Sequence, residues 1–345
     1  MSRNIESPED FTVVGENIHA SRIVLRNGLR AITLDNGTEA VPFKNISGDE
    51  CMLHVPEEYK QTQPYQQGQI KHFMIAMQKG ISEDPKANHE GAEYIRSEVA
   101  RQIKCGAHFI DLNVDEISYE LEIQKKAMKW VVAICQEVSS VPPSIDSSST
   151  EIIEAGLESY DGRAGQAIVN SVALDRISAL DLVTKYRTKA IVTGAGVDSM
   201  PQDAEERISN VKEILDVVQN SGLSLSDVHV DCIVFPISVA PDYGNHYLDA
   251  VKEIRGIYGP ELNITGGLSN VSFGLPKRKL INDTFIYLSL EAGVDSGIMD
   301  PVQSNIKKIC TLNINSESVQ LASNMLLGKD EFCVQYIQAW RDKRL

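Results

Sequence analysis

A (β/α)8 barrel is the fold class this sequence predicts, on three observations. Short apolar runs alternate with helical patterns about eight times, at spacings of roughly 25 to 40 residues, the arrangement of a parallel sheet. The apolar runs end on polar residues that open loops. No solenoid-type repeat and no Pro/Ser-rich linker interrupts the series. A chain of 345 residues has room for one such barrel with additions. The expected organisation is therefore a single domain over 1–345.

Phe11 to Gly15 reads as a short strand leading into Glu16-Asn17-Ile18-His19. An insertion follows, from about 22 to 80. In it, Leu29 to Leu34 and Thr38 to Phe43 alternate as two strands around Asp35-Asn36-Gly37, a two-residue turn signal that tolerates positive φ. The polar, Gln- and Tyr-containing remainder reads as loop, and the whole serves either as surface decoration or as a lid or docking element. Pro85 to Cys105 carries helix signals, and His108 to Ile110 reads as a strand leading to Asp111 and Asn113. The next helix has Leu121, Met128, Val132 and Cys135 at helical spacing. Val141 to Ile145 leads to Asp146, with Ser148 and Glu151 as a capping box. Strands then end at Asn170, at Thr193 and, after a helix with Ile208, Val211, Leu215 and Val218 on one face, at Asp231. Leu262 to Ile264 feeds a glycine-flanked loop bearing Asn270. Gly297 to Met299 leads to Asp300, and about 302–345 reads as one or two helices.

Apolar residues make up 42%, enough for a real core, and the net charge of −15 argues against nucleic acid and anionic membrane surfaces. Six scattered cysteines without a C-x-x-C pair read as buried free thiols in a reducing compartment. No signal core is present, and no run approaches the ~18 apolar residues of a spanning helix. A cytoplasmic protein is the expectation.

In a barrel the C-terminal strand ends carry the active site. Here they present Glu16, Asn113, Asp146, Asn170, Thr193, Asp231, Asn270 and Asp300. The set is carboxylates and amides, with no Schiff-base lysine, no aligned nucleophile and no phosphate loop. Such a set suits two jobs. One is holding a divalent metal through oxygens, with His19 as a further donor. The other is hydrogen-bonding a flat heterocycle: a carboxylate matches two adjacent N–H donors, and an amide can donate and accept. Composition does not choose between them.

Val14-Gly15-Glu16-Asn17-Ile18, Asp111-Leu112-Asn113-Val114, Ile145-Asp146-Ser147-Ser148, Val169-Asn170-Ser171, Asp231, Gly267-Leu268-Ser269-Asn270-Val271-Ser272, Arg278 with Leu280-Ile281-Asn282, and Gly293-Val294-Asp295 occur in this order. In that ordered set the sequence resembles the methyltetrahydrofolate–corrinoid methyltransferases, a branch of the pterin-binding barrels that also includes dihydropteroate synthase. The resemblance covers nearly the whole chain outside the insertion. It implies a TIM barrel of the pterin-binding type, and a methyltransferase moving a methyl group between N5 of tetrahydrofolate and the cobalt of a corrinoid (cobalamin). Asp146, Asn170 and Asp231 would anchor the pterin, and Asn270 would reach N5. Catalytic roles fall to Asn270 and Asp146, with Asn113, Asp111, Arg278 and Glu16 as further folate contacts and no metal. The chain lacks the D-x-H-x-x-G corrinoid signature, so the corrinoid is expected on a separate partner protein. Homodimers are common in that family and are expected here. Departures include Gly15-Glu16-Asn17-Ile18-His19 where the family often reads G-E-R-I-N. Alternatives are a folate-dependent methyltransferase with a non-corrinoid methyl partner, a metal-dependent barrel lyase or hydrolase using Asp111, Asp146 and Asp231, and a non-catalytic folate binder. Dihydropteroate synthase activity is disfavoured, since neither an S-T-R-P-type loop nor a late R-x-H is present.

Overall fold

A computed structural model describes residues 5–345; residues 1–4 of the expected domain lie outside the described residues. Eight strands form one sheet: β1 Thr12–His19, β2 Phe109–Asn113, β3 Pro143–Asp146, β4 Ile168–Val172, β5 Lys189–Thr193, β6 Val228–Asp231, β7 Asn263–Thr265 and β8 Ser296–Met299. Their order is β7-β6-β5-β4-β3-β2-β1-β8, and a parallel bridge from Gly267 to Ile298 joins β7 to β8. This is the strand order of the expected (β/α)8 barrel. Between the strands run α1 His72–Gly80, α2 Pro85–Lys104, α3 Leu121–Val138, α4 Thr150–Ser159, α5 Ala179–Tyr186, α6 Ala204–Asn220, α7 Tyr243–Tyr258 and α8 Arg278–Ala292. Internal packing resolves two compact units, Gly15–Ile168 and Val169–Leu345 with the N-terminal residues through Val14.

The strands are short and apolar because both faces are covered. Ile110, Leu112 and Ile145 are fully buried in one unit, as are Val192, Val230 and Ile264 in the other. Each contributes about 1.5–3 kcal/mol by leaving water. Register then sets which polar residues sit side by side. Asn113 lies opposite Asp146 and Asp111 opposite Ser144. Thr193, Asp231 and Thr265 form a second row.

Several expectations need correction. The first strand does not stop at Gly15: it continues to His19, so Glu16 is a mid-strand residue. Asn17 explains the continuation, since its amide donates to Glu98 Oε1 on α2 at 2.8 Å and its backbone N–H to Gln102 Oε1 at 3.2 Å. The expected hairpin forms, Ile32–Thr33 with Glu39–Lys44, but a third strand, Glu50–His54, extends it into a meander, and Val24–Leu25 pairs with Gln69–Ile70 in a separate two-stranded sheet. Its first turn is a three-residue loop in which Gly37 alone is left-handed (φ 81°), with Leu34 N–H bonding Thr38 O at 2.8 Å. A buried helix, α1, replaces the end of the supposed loop. Phe43 of the meander meets Tyr94 of α2 edge-on at 4.9 Å, and the Tyr94 hydroxyl lies 2.8 Å from His72 Nδ1 of α1.

Ser148 is not the cap of α4. Ser149 is the N-cap residue, and its hydroxyl donates to Glu151 at 2.7 Å. The tail forms three short helices, Ile306–Cys310, Glu317–Leu326 and Val334–Arg341. All six cysteines are free, but Cys51, Cys105 and Cys310 are only half-buried. No helix among the described residues is long and apolar enough to cross a membrane.

Candidate functional site

In the Gly15–Ile168 unit the polar strand ends bind one another. Asn113 is buried and donates from Nδ2 to Asp146 Oδ2 at 2.9 Å, which fixes the plane of that carboxylate. Its own Oδ1 accepts the Asp115 N–H at 3.1 Å, so both ends of the amide are used. Asp111, buried, accepts from Ser144 Oγ at 2.6 Å. Glu16 pairs with Arg22 at 3.8 Å. Asp115 does work that sequence reasoning missed. One carboxylate oxygen accepts from Ser147 Oγ at 2.5 Å, the other from the N–H and Oγ of Ser148 at 2.9 Å each. It braces the loop that follows Asp146. The available signal was a third acidic or amide residue at i+2 spacing in Asp111-Leu112-Asn113-Val114-Asp115.

His19 is mostly enclosed, and burial holds its imidazole below the usual histidine range. Its Nδ1 accepts the Ser21 N–H at 3.1 Å, a geometry that suits the neutral tautomer protonated on Nε2. Among the described residues no group of three or more His, Cys, Asp or Glu side chains converges as a metal cage.

In the other unit the picture differs. Asn170 does not end its strand as expected: β4 runs on to Val172, which leaves Asn170 mid-strand and buried. Asp231 ends β6, half-buried, and accepts the Ile233 N–H at 2.7 Å on Oδ1. Crowding by protein pushes its carboxyl up to about 6, against the opposing pull of that N–H and of the Arg207 charge. Among the described residues no second donor reaches Asp231. Asn270 sits on a 3-10 turn, Leu268–Ser272, whose Asn270 N–H bonds Gly267 O at 2.9 Å. Its side-chain amide lies directly over Gly267: a Cβ there would stand 2.7 Å from Asn270 Nδ2. No hydrogen bond within the described protein commits that amide. The capping role that a loop amide commonly plays is absent.

Arg278 is at the start of α8 and turns back onto this loop. It donates from Nη2 to Ser269 O and from Nε to Ser272 Oγ, each at 2.9 Å, and stacks over Phe273 at 4.4 Å. It therefore sets the shape of the turn that carries Asn270. Asp300 is locally satisfied, accepting the Val302 N–H at 3.0 Å and Gln303 Nε2 at 2.7 Å. Thr193 accepts the Ala195 N–H at 3.3 Å.

Chemically, the second unit offers one poised acceptor and one uncommitted donor-acceptor amide. The first offers a fixed carboxylate, Asp146, on a pre-bonded amide. Comparison with known proteins separates the readings that composition left open. The chain is 28% identical over 274 residues to a methylcorrinoid:tetrahydrofolate methyltransferase of Eubacterium limosum, covering 78% of this chain and 93% of that one. It is 27% identical over 244 residues to a methionine synthase of Mycobacterium leprae, 66% of this chain but only 19% of the longer protein. Two solved structures share its fold. Dihydropteroate synthase of Xanthomonas albilineans, in complex with indole-2-carboxylic acid and 6-chloroguanine, superposes with a TM-score of 0.53 at 15% identity, over 66% of this chain and 86% of that one. Dihydropteroate synthase of Stenotrophomonas maltophilia gives 0.51 at 13% identity, over 64% and 86%. Residues 82–300 match the pterin binding enzyme family, and the chain belongs to that family.

Proposed function

We propose that this protein is a methyltransferase that moves a methyl group between N5 of tetrahydrofolate and the cobalt of a corrinoid carried by a separate partner protein. The observation that carries the reading is the Asn270 amide, propped on a rigid turn with no protein partner. The Eubacterium limosum relative, matched over nearly its whole length, supports the corrinoid side. Tetrahydrofolate and the corrinoid are both substrates here, one bound directly and one presented by the partner.

Asp231 accepts from the pterin ring N–H and the adjacent exocyclic amine, two parallel donors that suit one carboxylate. Asp146, Asn170, Asn113, Asp111 and Glu16 are further candidate folate contacts, as hydrogen-bonding groups of the types a pterin edge needs. Arg278 acts through the loop it braces. Asn270 donates at N5. A tertiary amine is a poor leaving group, and N5 departs well only as it gains a proton. As the N5–CH3 bond breaks, N5 takes over the bonding electron pair; the Asn270 N–H donates to that pair more strongly in the transition state than in the ground state, and the proton N5 finally carries comes from water. In the reverse direction the same contact orients the N5 lone pair toward the incoming methyl carbon. No side chain of matched pKa is needed, which agrees with a site built from amides and carboxylates. The chain works as one pterin-binding domain, in the cytoplasm, as a homodimer.

The test is turnover. Purified protein with methylcobalamin and tetrahydrofolate should yield 5-methyltetrahydrofolate and Co(I) cobalamin, followed by the cobalamin absorbance. Folate binding without any methyl transfer, from methylcobalamin or from a methylated corrinoid protein, would sink the proposal.

A further inference from the structure

The buried face of α6 holds an anomaly. Val211, Leu215 and Val218 face the core as the periodicity requires, but Arg207 beside them is fully buried, while Ile208 is only half-buried. Its guanidinium donates from Nη1 to Asp203 O at 2.7 Å and from Nε to Ile233 O at 3.4 Å, and lies 5.0 Å above the Phe235 ring. Its Nη2 is buried with no hydrogen-bond partner among the described residues. A buried guanidinium with an unpaired N–H is a poor way to stabilise a helix face that an aliphatic side chain would fill. A residue that breaks the local rule in this way points to a use elsewhere.

The use is visible in what it touches. Ile233 is left-handed, φ 62°, a conformation a β-branched residue adopts only under constraint. That conformation turns the Ile233 N–H onto Asp231 Oδ1 at 2.7 Å, while the carbonyl of the same residue accepts from Arg207. The loop runs on to the Asn270 turn. Ile237 N–H bonds Val271 O at 2.9 Å, and Ser238 Oγ donates to Phe273 O at 2.8 Å. One loop thus touches both the pterin carboxylate and the turn bearing the N5 amide, and Arg207 clamps its start.

We propose that Arg207 is a positioning residue for the folate site, holding the Ile233–Ser238 loop in the conformation that aims Asp231 and supports the Asn270 turn. This rests on the methyl-transfer reading above. The groups facing Asp231 are Arg207 from α6, Tyr247 from α7, and its neighbours Cys232 and the Ile233 N–H. Arg207→Lys keeps a charge but loses the planar fork and the ring stack. Arg207→Met removes both.

The experiment is equilibrium binding of tetrahydrofolate across about pH 5 to 8, with melting temperature as a parallel readout. Arg207→Lys should weaken binding by roughly 10- to 100-fold, the range for losing a hydrogen bond to a charged donor. Arg207→Met should in addition move the acidic midpoint of the binding profile to higher pH, since the cation that favours the Asp231 carboxylate is gone. Ile233→Gly, which accepts a positive φ freely, should recover part of the loss when combined with Arg207→Lys. A lowered melting temperature with unchanged affinity and midpoint would make Arg207 merely structural and overturn the inference, and so would strict additivity of the double variant. If Arg207→Met does not fold, Arg207→Lys and its pairing with Ile233→Gly decide alone. A wild-type protein that binds no tetrahydrofolate overturns the methyl-transfer reading, and the role of Arg207 with it.

Discussion

Asp300 apart, the strand-end and loop polar groups of the two units are held in different ways. Between Gly15 and Ile168, acceptors and amides are spent on each other: Asn113 on Asp146, Asp111 on Ser144, Asp115 on Ser147 and Ser148. From Val169 onward, Asn270 is left uncommitted and Asp231 has a single protein donor. A spent polar group is rigid and cheap to bury. An uncommitted one costs stability and is available to a ligand. The difference separates polar groups already satisfied within the fold from polar groups with bonding capacity left over.

The largest expected effect tests the uncommitted amide. Asn270→Ala should lower the rate of methyl transfer by about 10²–10³-fold, the scale for removing one preorganised donor. The folate dissociation constant should move only a few-fold. Steady-state rates beside calorimetric binding would show it, and equal losses in both would remove Asn270 from N5.

Asp231→Asn is next. Folate affinity should fall roughly 10- to 100-fold. The stability effect has the opposite sign. The Asp231 carboxyl is raised to about 6 from an ordinary 3.8, so the unliganded fold favours its protonated form. That contribution is fully present below about pH 4 and lost as pH rises through about 6. At pH 7 the variant should therefore be more stable than the parent, by up to about 3 kcal/mol, and near pH 4 the two should melt together. Parent folate affinity should itself decline as pH drops below about 6, and the Asn variant should be flat there. A variant less stable than the parent at pH 7 would deny that Asp231 is held under strain.

The smallest effect belongs to the satisfied groups. Asp115→Ala removes three hydrogen bonds from the loop after Asp146 and should cost about 1–3 kcal/mol of stability, read by denaturant unfolding. Turnover at saturating folate should stay within about twofold. A rate loss comparable to that of Asn270→Ala would erase the contrast between the halves.

The barrel strands were legible because each is a short apolar run between turn signals and helical patterns. What escaped has physical causes. Helix α1 contains five consecutive buried apolar residues, Phe73 to Met77, and only Gln78 and Lys79 on its polar side, too few for periodicity to detect. The third meander strand, Glu50–His54, is mostly half-buried and alternates weakly. Glu16 was placed at a strand end because the apolar run stops there, yet the strand continues, with the Asn17 backbone N–H bonded to Gln102 and its side-chain amide to Glu98, partners that no local pattern encodes. Asp146, Asn170, Asp231 and Asn270 could be nominated from their order along the chain. The role of Arg207 could not, since a charge on a helix ordinarily reads as solvent-facing, and that of Asp115 left only its i+2 spacing from Asn113 as a signal.

The crowding at Gly267 has a consequence for anyone diversifying this enzyme. Even a methyl group at that position would run into the Asn270 side chain. A saturation library selected for methyl transfer should come back with this codon intact. Broadening the range of accepted methyl carriers will have to begin from loops that leave this pair untouched.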